Sequence, residues 1–528
     1  MRHFQLATPL APSGRVRIGF SFRRRPPAGF SDGGDERGWH ANGLHALSTA
    51  WLPRVGYLGY LEDSLRRKPS QDTPDAVQDT PDTAQGGEGS PRHGASESPT
   101  IDAVATADDA SPDRDPRRWA AGSWQHRATF EGVICTDPDQ TALLPGRLER
   151  DWDENGRRCF AYRSDAPQHL QFHAVSGRYA VKRERHGEVD LEVYYHPGHS
   201  FNVDTLLKAM RTGLDLYGTT YGPYPLSYLR IAEVPYLTAA MSTPGTFVYG
   251  EPFGMLARVD RSRKGVVDQP YFVAAHEAAH QWWGEQLVPA RAPGYSVIME
   301  TLTQYGAVTA IERDYGPERV RGFLEQELRR YLQARAQGSD VPLAEARTEQ
   351  HVFYNKGAVV MYALRDALGA ERFDAALARF FQQSRSGPPF PLASDLMEAL
   401  RSAAPPEQQQ VITDLLETIT FWYLKTDRAT WARRPDGKFE GTLEVEASKA
   451  RSDAIGRETP VAMGTEMLDI GVLDARGSFA YLQKHPISQG RTTVTVVVEQ
   501  LPVQAGIDPR HLRMDRRLED NVVAVRPR

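Results

Sequence analysis

Hydrophobic positions change their period along this chain, and the changes divide it. Val16, Ile18, Phe20 and Phe22 alternate with Arg15, Arg17, Gly19 and Ser21, the two-residue repeat of a half-buried strand. Alternation returns at Val189, Leu191, Val193 and Tyr195. It returns again near the C-terminus, at Leu443 and Val445 and at Val494, Val496 and Val498. Between these stretches the period lengthens. Leu206, Leu207, Met210 and Leu214 recur at helical spacing, as do Phe323, Leu324, Leu328 and Leu332. The pattern predicts an α+β multidomain chain. A β domain is expected over 1–68 and 119–200, a mostly helical domain over 201–430, and a second β domain over 431–528.

The gap at 69–118 has a different composition. No aromatic residue occurs between Tyr60 and Trp119, and Gln-Asp-Thr-Pro-Asp is repeated at 71–75 and 78–82. A stretch so poor in apolar side chains cannot offset the entropy of ordering itself. It is expected to be a disordered low-complexity insertion.

Composition narrows the function classes. Hydrophobic residues make up 40% and charged residues 25%, ordinary for a globular protein. A net charge of -5 argues against nucleic acid as a partner. No apolar run approaches the roughly 18 residues that a membrane span needs, and the N-terminus lacks the apolar region of a secretory signal. The expectation is a soluble chain without a transmembrane segment, either cytoplasmic or held at a membrane through a partner. Cys135 and Cys159 are the only cysteines. Two in a chain this long make no disulfide framework, so both are expected as reduced, partly buried thiols.

The candidate chemistry is concentrated in residues 271–305. His276, Glu277 and His280 form an H-E-x-x-H pattern inside a run of small and apolar residues. On a helix, residues four apart share a face, so both imidazoles can reach one metal ion, with Glu277 close enough to act on a bound water. A catalytic zinc takes a third protein ligand and keeps a fourth position open. Residues 296–313 are the expected second helix, with Ser296 as its N-cap. Glu300 stands one turn inside among Ile298, Met299 and Leu302, where a carboxylate needs a partner. One zinc per chain, held by His276, His280 and Glu300, follows. Glu285, just past Gly284, is the weaker rival for third ligand.

The run His-Glu-Ala-Ala-His-Gln-Trp-Trp-Gly at 276–284 resembles the signature of the aminopeptidase N family of gluzincin zinc peptidases. In that family a Glu on the following helix has a Tyr five residues later, and Glu300 and Tyr305 keep that register. Nineteen residues separate His280 from Glu300, one more than the family's usual spacing. The extra residue is expected in the loop at 288–295. Phe353-Tyr354-Asn355-Lys356-Gly357 is similar to the family's Tyr-x-Lys-Gly segment, which implies that Tyr354 hydrogen-bonds the tetrahedral intermediate. The resemblance also implies a thermolysin-like catalytic domain and a peptide substrate held along Ala239, Ala240, Met241 and Ser242. One departure falls there: Ser242 stands where the family's Gly-x-Met-Glu-Asn segment has the Glu that binds the substrate amine.

A closer resemblance runs through Leu10–Pro12, His196–Val203, Glu300–Tyr305 and Lys356–Asp366. These segments look like the peptidase portion of bacterial proteins joined to an ABC-2-type permease. The implied activity is a zinc-dependent metallopeptidase, with an ABC-type permease encoded elsewhere as a possible partner. The alternative is a zinc-binding, catalytically poor accessory domain of such a transporter.

Overall fold

The structure is a computed structural model that describes residues 38–40, 42–48, 115–118, 120–121, 127–235, 239–263 and 266–528. The strand expected at 16–22 and most of the insertion expected at 69–118 lie outside these residues.

A five-stranded sheet organises the centre. Its strands are β1 (Ala180–His186), β2 (Val189–Tyr195), β3 (Tyr228–Val234), β4 (Ala240–Thr243) and β5 (Thr246–Gly250), in the spatial order β1-β2-β3-β5-β4. The pairs β2–β3 and β3–β5 are parallel, and β1–β2 and β4–β5 are antiparallel. A parallel pair needs a crossover, and α1 (Val203–Tyr221) supplies the one between β2 and β3. Strand β3 is buried along its whole length, as expected for a strand covered on both faces.

The two faces carry different cores. Leu191, Val193, Leu229, Ile231, Phe247 and Tyr249 face the helices, and Tyr194, Ala232, Val234 and Val248 face the N-terminal β layers with Phe160, Phe172 and Val175. Strand alternation therefore sorts β1–β5 between two domains. It also moves two boundaries. Residues 180–195, expected in the N-terminal β domain, belong to the central sheet. The C-terminal sheet begins at Ile419 rather than at 431, because Ile419–Arg433 pairs along its length with Phe439–Ser452.

The helices after the sheet build the site. They are α2 (Gln269–His280), α3 (Leu302–Tyr315), α4 (Pro317–Arg335) and α5 (Gly357–Leu368). Small side chains let α1, α2 and α3 approach closely. A Cβ at Gly306 on α3 would stand 3.0 Å from Ala279 Cβ on α2. Asp268 caps α2, its carboxylate accepting from the backbone N–H of Tyr271.

Two further expectations change. Cys135 and Cys159 are joined in a disulfide between the strands Glu131–Thr136 and Arg157–Arg163, where they are directly paired. Adjacency across an antiparallel pair, invisible in linear spacing, brings the sulfurs together. The end of the insertion is structured as well. Pro116–Arg118 forms a helical turn, Arg117 makes a bidentate pair with Asp395 at 2.6 and 2.7 Å, and Ala121 N–H donates to Pro289. No helix among the described residues is long and apolar enough to cross a membrane.

Candidate metal centre and active site

The α2 helix places His276 and His280 one turn apart on the same face, with ring centroids 4.7 Å from each other. Glu300 comes from a separate segment, and its Oε2 lies 3.4 Å from Nε2 of both histidines. The three ligand atoms fall within 4.8 Å of one another. His276 Nδ1 and Glu300 Oε2 are buried without a hydrogen-bond partner, as is Glu277 Oε2. Buried polar atoms left unpaired are costly, and Glu300 Oε2, facing Nε2 of both histidines, suits a cation. His280 Nδ1 lies 3.0 Å from the Trp283 carbonyl. A proton donated there leaves Nε2 as the lone-pair side facing the site, the outer-shell arrangement common to metal-binding histidines. Two imidazoles and one carboxylate with a fourth side open suit zinc.

Glu300 does not sit where the sequence puts it. Instead of a regular helix from a Ser296 cap, Val297–Thr301 forms a π-helical turn that runs into α3. Ser296 makes no cap bond, and its hydroxyl donates to the Arg347 carbonyl instead. Tyr354 lies in a second π turn, His351–Lys356, ahead of α5. Wide π turns recur at functional sites because they rotate side chains off the regular helical face. The two turns lock together. Thr301 Oγ1 donates to the Phe353 carbonyl at 2.7 Å, Asn355 donates to Glu327 on α4, and a Cβ on Gly357 would meet Thr301 Oγ1 at 2.7 Å.

Electrostatics distinguish the roles. Burial opposes a charge on Glu300, but the His280 and His276 imidazoles outweigh it and hold the carboxyl below the usual range. Burial raises the Glu277 carboxyl, with the imidazoles pulling the other way. Burial and the Glu300 carboxylate push the Tyr354 phenol well above 10, so it remains a neutral donor. Its ring centroid is 5.9 Å from that of His276. Tyr305 is turned away from the metal centre, its hydroxyl bonded to Asp374. Glu285 is buried past the end of α2 and is not among the three converging ligands.

Strand β4, the free edge of the sheet, passes beside α2. Ser242 and Ala240 fall on the helix face, and Met241 packs into the N-terminal β core. Ala239 lies just before the strand, its carbonyl accepting from Gly250 N–H. Ser242 Oγ donates to the Glu277 carbonyl at 3.3 Å. Two residues that sequence reasoning overlooked hold this edge. Gln281 donates to Ser242 Oγ and the Thr243 carbonyl and accepts from Gly245 N–H. His173 Nε2 lies 3.0 Å from the Met241 carbonyl. Gln281 directly follows the second histidine, and a polar residue there on a buried helix end was the available signal; His173 offered none.

Comparison with known proteins finds likeness over the segment that carries these residues. Residues 201–418 match the Peptidase family M1 domain. Aminopeptidase M1-B of Oryza sativa subsp. japonica is 28% identical over 244 residues, covering 44% of this chain and 26% of that protein. Aminopeptidase N of Lactobacillus delbrueckii subsp. lactis is 23% identical over 292 residues, covering 52% of this chain and 34% of the relative. The chain thus spans only about a quarter to a third of these relatives' length. Among solved structures, Legionella pneumophila aminopeptidase A superimposes with a TM-score of 0.50 at 17% identity, over 74% of this chain and 44% of that one, which supports the fold. Over residues 201–418 this chain is thus similar to the peptidase family M1 domain, and the side chains of His276, His280 and Glu300 suit zinc.

Proposed function

We propose that this chain is a zinc-dependent metallopeptidase that hydrolyses peptide bonds. His276, His280 and Glu300 would hold the metal, which when bound supplies Lewis-acid polarisation of the scissile carbonyl. Glu277 takes the proton of the attacking water and returns it to the leaving amine, a task suited to a carboxyl whose pKa burial has raised. Tyr354 donates a hydrogen bond to the oxyanion as it develops; one such donor is worth about 3–4 kcal/mol. The β4 edge with Ala239, Ala240, Met241 and Ser242 receives an extended peptide as an added strand. The observation that carries the reading is Glu300 Oε2 at 3.4 Å from both imidazoles, with Glu277 on the intervening turn of α2.

The curated relatives are named aminopeptidases, which makes peptides the expected substrate class. Ser242 departs from the pattern of an amine-anchoring Glu, so a strict requirement for a free N-terminus is not part of the proposal. The resemblance to permease-linked peptidases extends it to a membrane permease as partner, testable by co-purification from solubilised membranes. The decisive experiment is zinc content with cleavage of a general peptide library, wild type against Glu277→Gln. Zinc-loaded wild type that cleaves nothing would favour the accessory-domain alternative.

A further inference from the structure

Helix α4 carries a buried carboxylate that packing alone does not explain. Glu327 is 2% exposed, on a helix face that otherwise buries Val320, Phe323, Leu324, Leu328 and Tyr331. An apolar side chain would fill such a position at lower cost, because a buried carboxylate must be given hydrogen-bond donors. Two donors reach it. Arg330 Nη1, on the same helix, donates to Oε1 at 2.6 Å, and Asn355 Nδ2 donates to Oε2 at 2.5 Å. Asn355 directly follows Tyr354 in the π turn His351–Lys356.

That bond is one part of a wider grip. Tyr331, one helical turn after Glu327, stacks on the His351 ring at the start of the same π turn, with 6.2 Å between centroids and 16° between planes. Lys356 Nζ, at the end of the turn, is 5.5 Å from the Tyr331 ring centroid. Tyr331 is held in its own right. Its hydroxyl donates to Asp340 at 2.7 Å, and its ring lies within 8° of parallel to that of Phe421 on the C-terminal strand Ile419–Arg433. Helix α4 thus holds the turn on both sides of Tyr354. The strongest of these contacts is the bond to a charged acceptor, about twice as strong as one between neutral groups.

We propose that Glu327 is a positioning residue for Tyr354. Through Asn355 it fixes the π turn so that the phenol stands at the metal centre, and the carboxylate serves throughout as a fixed acceptor. The inference rests on the reading of Tyr354 as the oxyanion donor. Such a donor works only within hydrogen-bond reach of the developing charge, and a misplacement of about 1 Å can cost on the order of a hundredfold in rate.

The test combines crystal structures with kinetics on the zinc-loaded full chain. Asn355→Leu is close in shape and removes the donor. It should displace the Tyr354 hydroxyl and lower kcat at least about tenfold, with KM within about twofold and zinc content unchanged. Asn355→Ala, a smaller replacement, should do the same. Glu327→Gln should stay within about threefold of wild type, because an amide oxygen still accepts from Asn355. Added to Tyr354→Phe, Asn355→Leu should lower kcat no further, whereas a residue that only supports the fold would lower it in both backgrounds. An unmoved hydroxyl in both Asn355 variants, or equal losses with and without the phenol, would overturn the proposal. A displaced hydroxyl in a chain whose wild type cleaves no peptide would uphold the positioning and count against the peptidase reading instead.

Discussion

Gln281 Nε2 donates to Ser242 Oγ at 2.8 Å, joining helix α2 to strand β4. The same amide accepts from Gly245 N–H at 2.8 Å, so one side chain fixes both ends of the β4–β5 turn region relative to α2. Ser242 is therefore held as a neutral, already bonded group on the edge that we propose receives the peptide.

The consequence concerns blocked substrates. A free α-amine is cationic, with a pKa near 8 in peptides, and a pocket carboxylate would favour it strongly. Ser242 loses little when no amine is present. N-acetylated peptides should be cleaved within about tenfold of free ones, a gap of roughly 1.4 kcal/mol. Ser242→Glu should shift preference toward free N-termini. A thousandfold preference of the wild type for free N-termini would refute this and point to another acidic anchor.

Metal content tests the ligand set. Wild type should bind one zinc per chain, and His276→Ala, His280→Ala and Glu300→Ala should each lose it, as measured by elemental analysis. Full zinc in Glu300→Ala with loss in Glu285→Ala would mean that the third ligand has been misassigned.

Turnover should separate Glu277 from Tyr354. Glu277→Gln should keep zinc and lose most activity, because an amide cannot accept the proton. Tyr354→Phe should lower kcat more than it raises KM, since its bond to the oxyanion forms mainly in the transition state. An unchanged kcat in Tyr354→Phe would remove the phenol from the mechanism.

The insertion can be shortened only up to its anchored end. Deleting residues 69–114 with a short linker should leave melting temperature and activity nearly unchanged. Arg117→Ala should cost more, because it leaves half-buried Asp395 without its bidentate partner. Equal melting temperatures for Arg117→Ala and wild type would show that the strap contributes nothing.

Stability should depend on pH through Asp508. Burial raises its carboxyl to about 7, against about 3.9 in an unfolded chain. Between those values the folded state holds a proton that the unfolded state releases. Stability from this group is therefore full at acid pH, falls as pH rises toward 7 and levels off above it. Asp508→Asn cannot ionise, so the melting temperature difference between pH 5 and pH 8 should shrink in that variant. An unchanged difference would assign the pH dependence elsewhere.

The sequence by itself determined what is local. His276, Glu277 and His280 lie within one helical segment, where four-residue spacing alone puts both imidazoles on one face. The order of β, helical and β regions was legible for the same reason, since period is a property of neighbouring residues. The tertiary structure decided what depends on residues far apart. Strands 180–195 look the same in sequence whichever domain they serve, and only parallel pairing with Tyr228–Val234 assigns them to the central sheet. Cys135 meets Cys159 because two strands pair antiparallel. Glu300 and Tyr354 could be named from motifs, but the π turns that aim them come from Thr301, Phe353 and Gly357 packing against one another. A helical period records which face a side chain shares; how far that face turns is set by the segment packed against it.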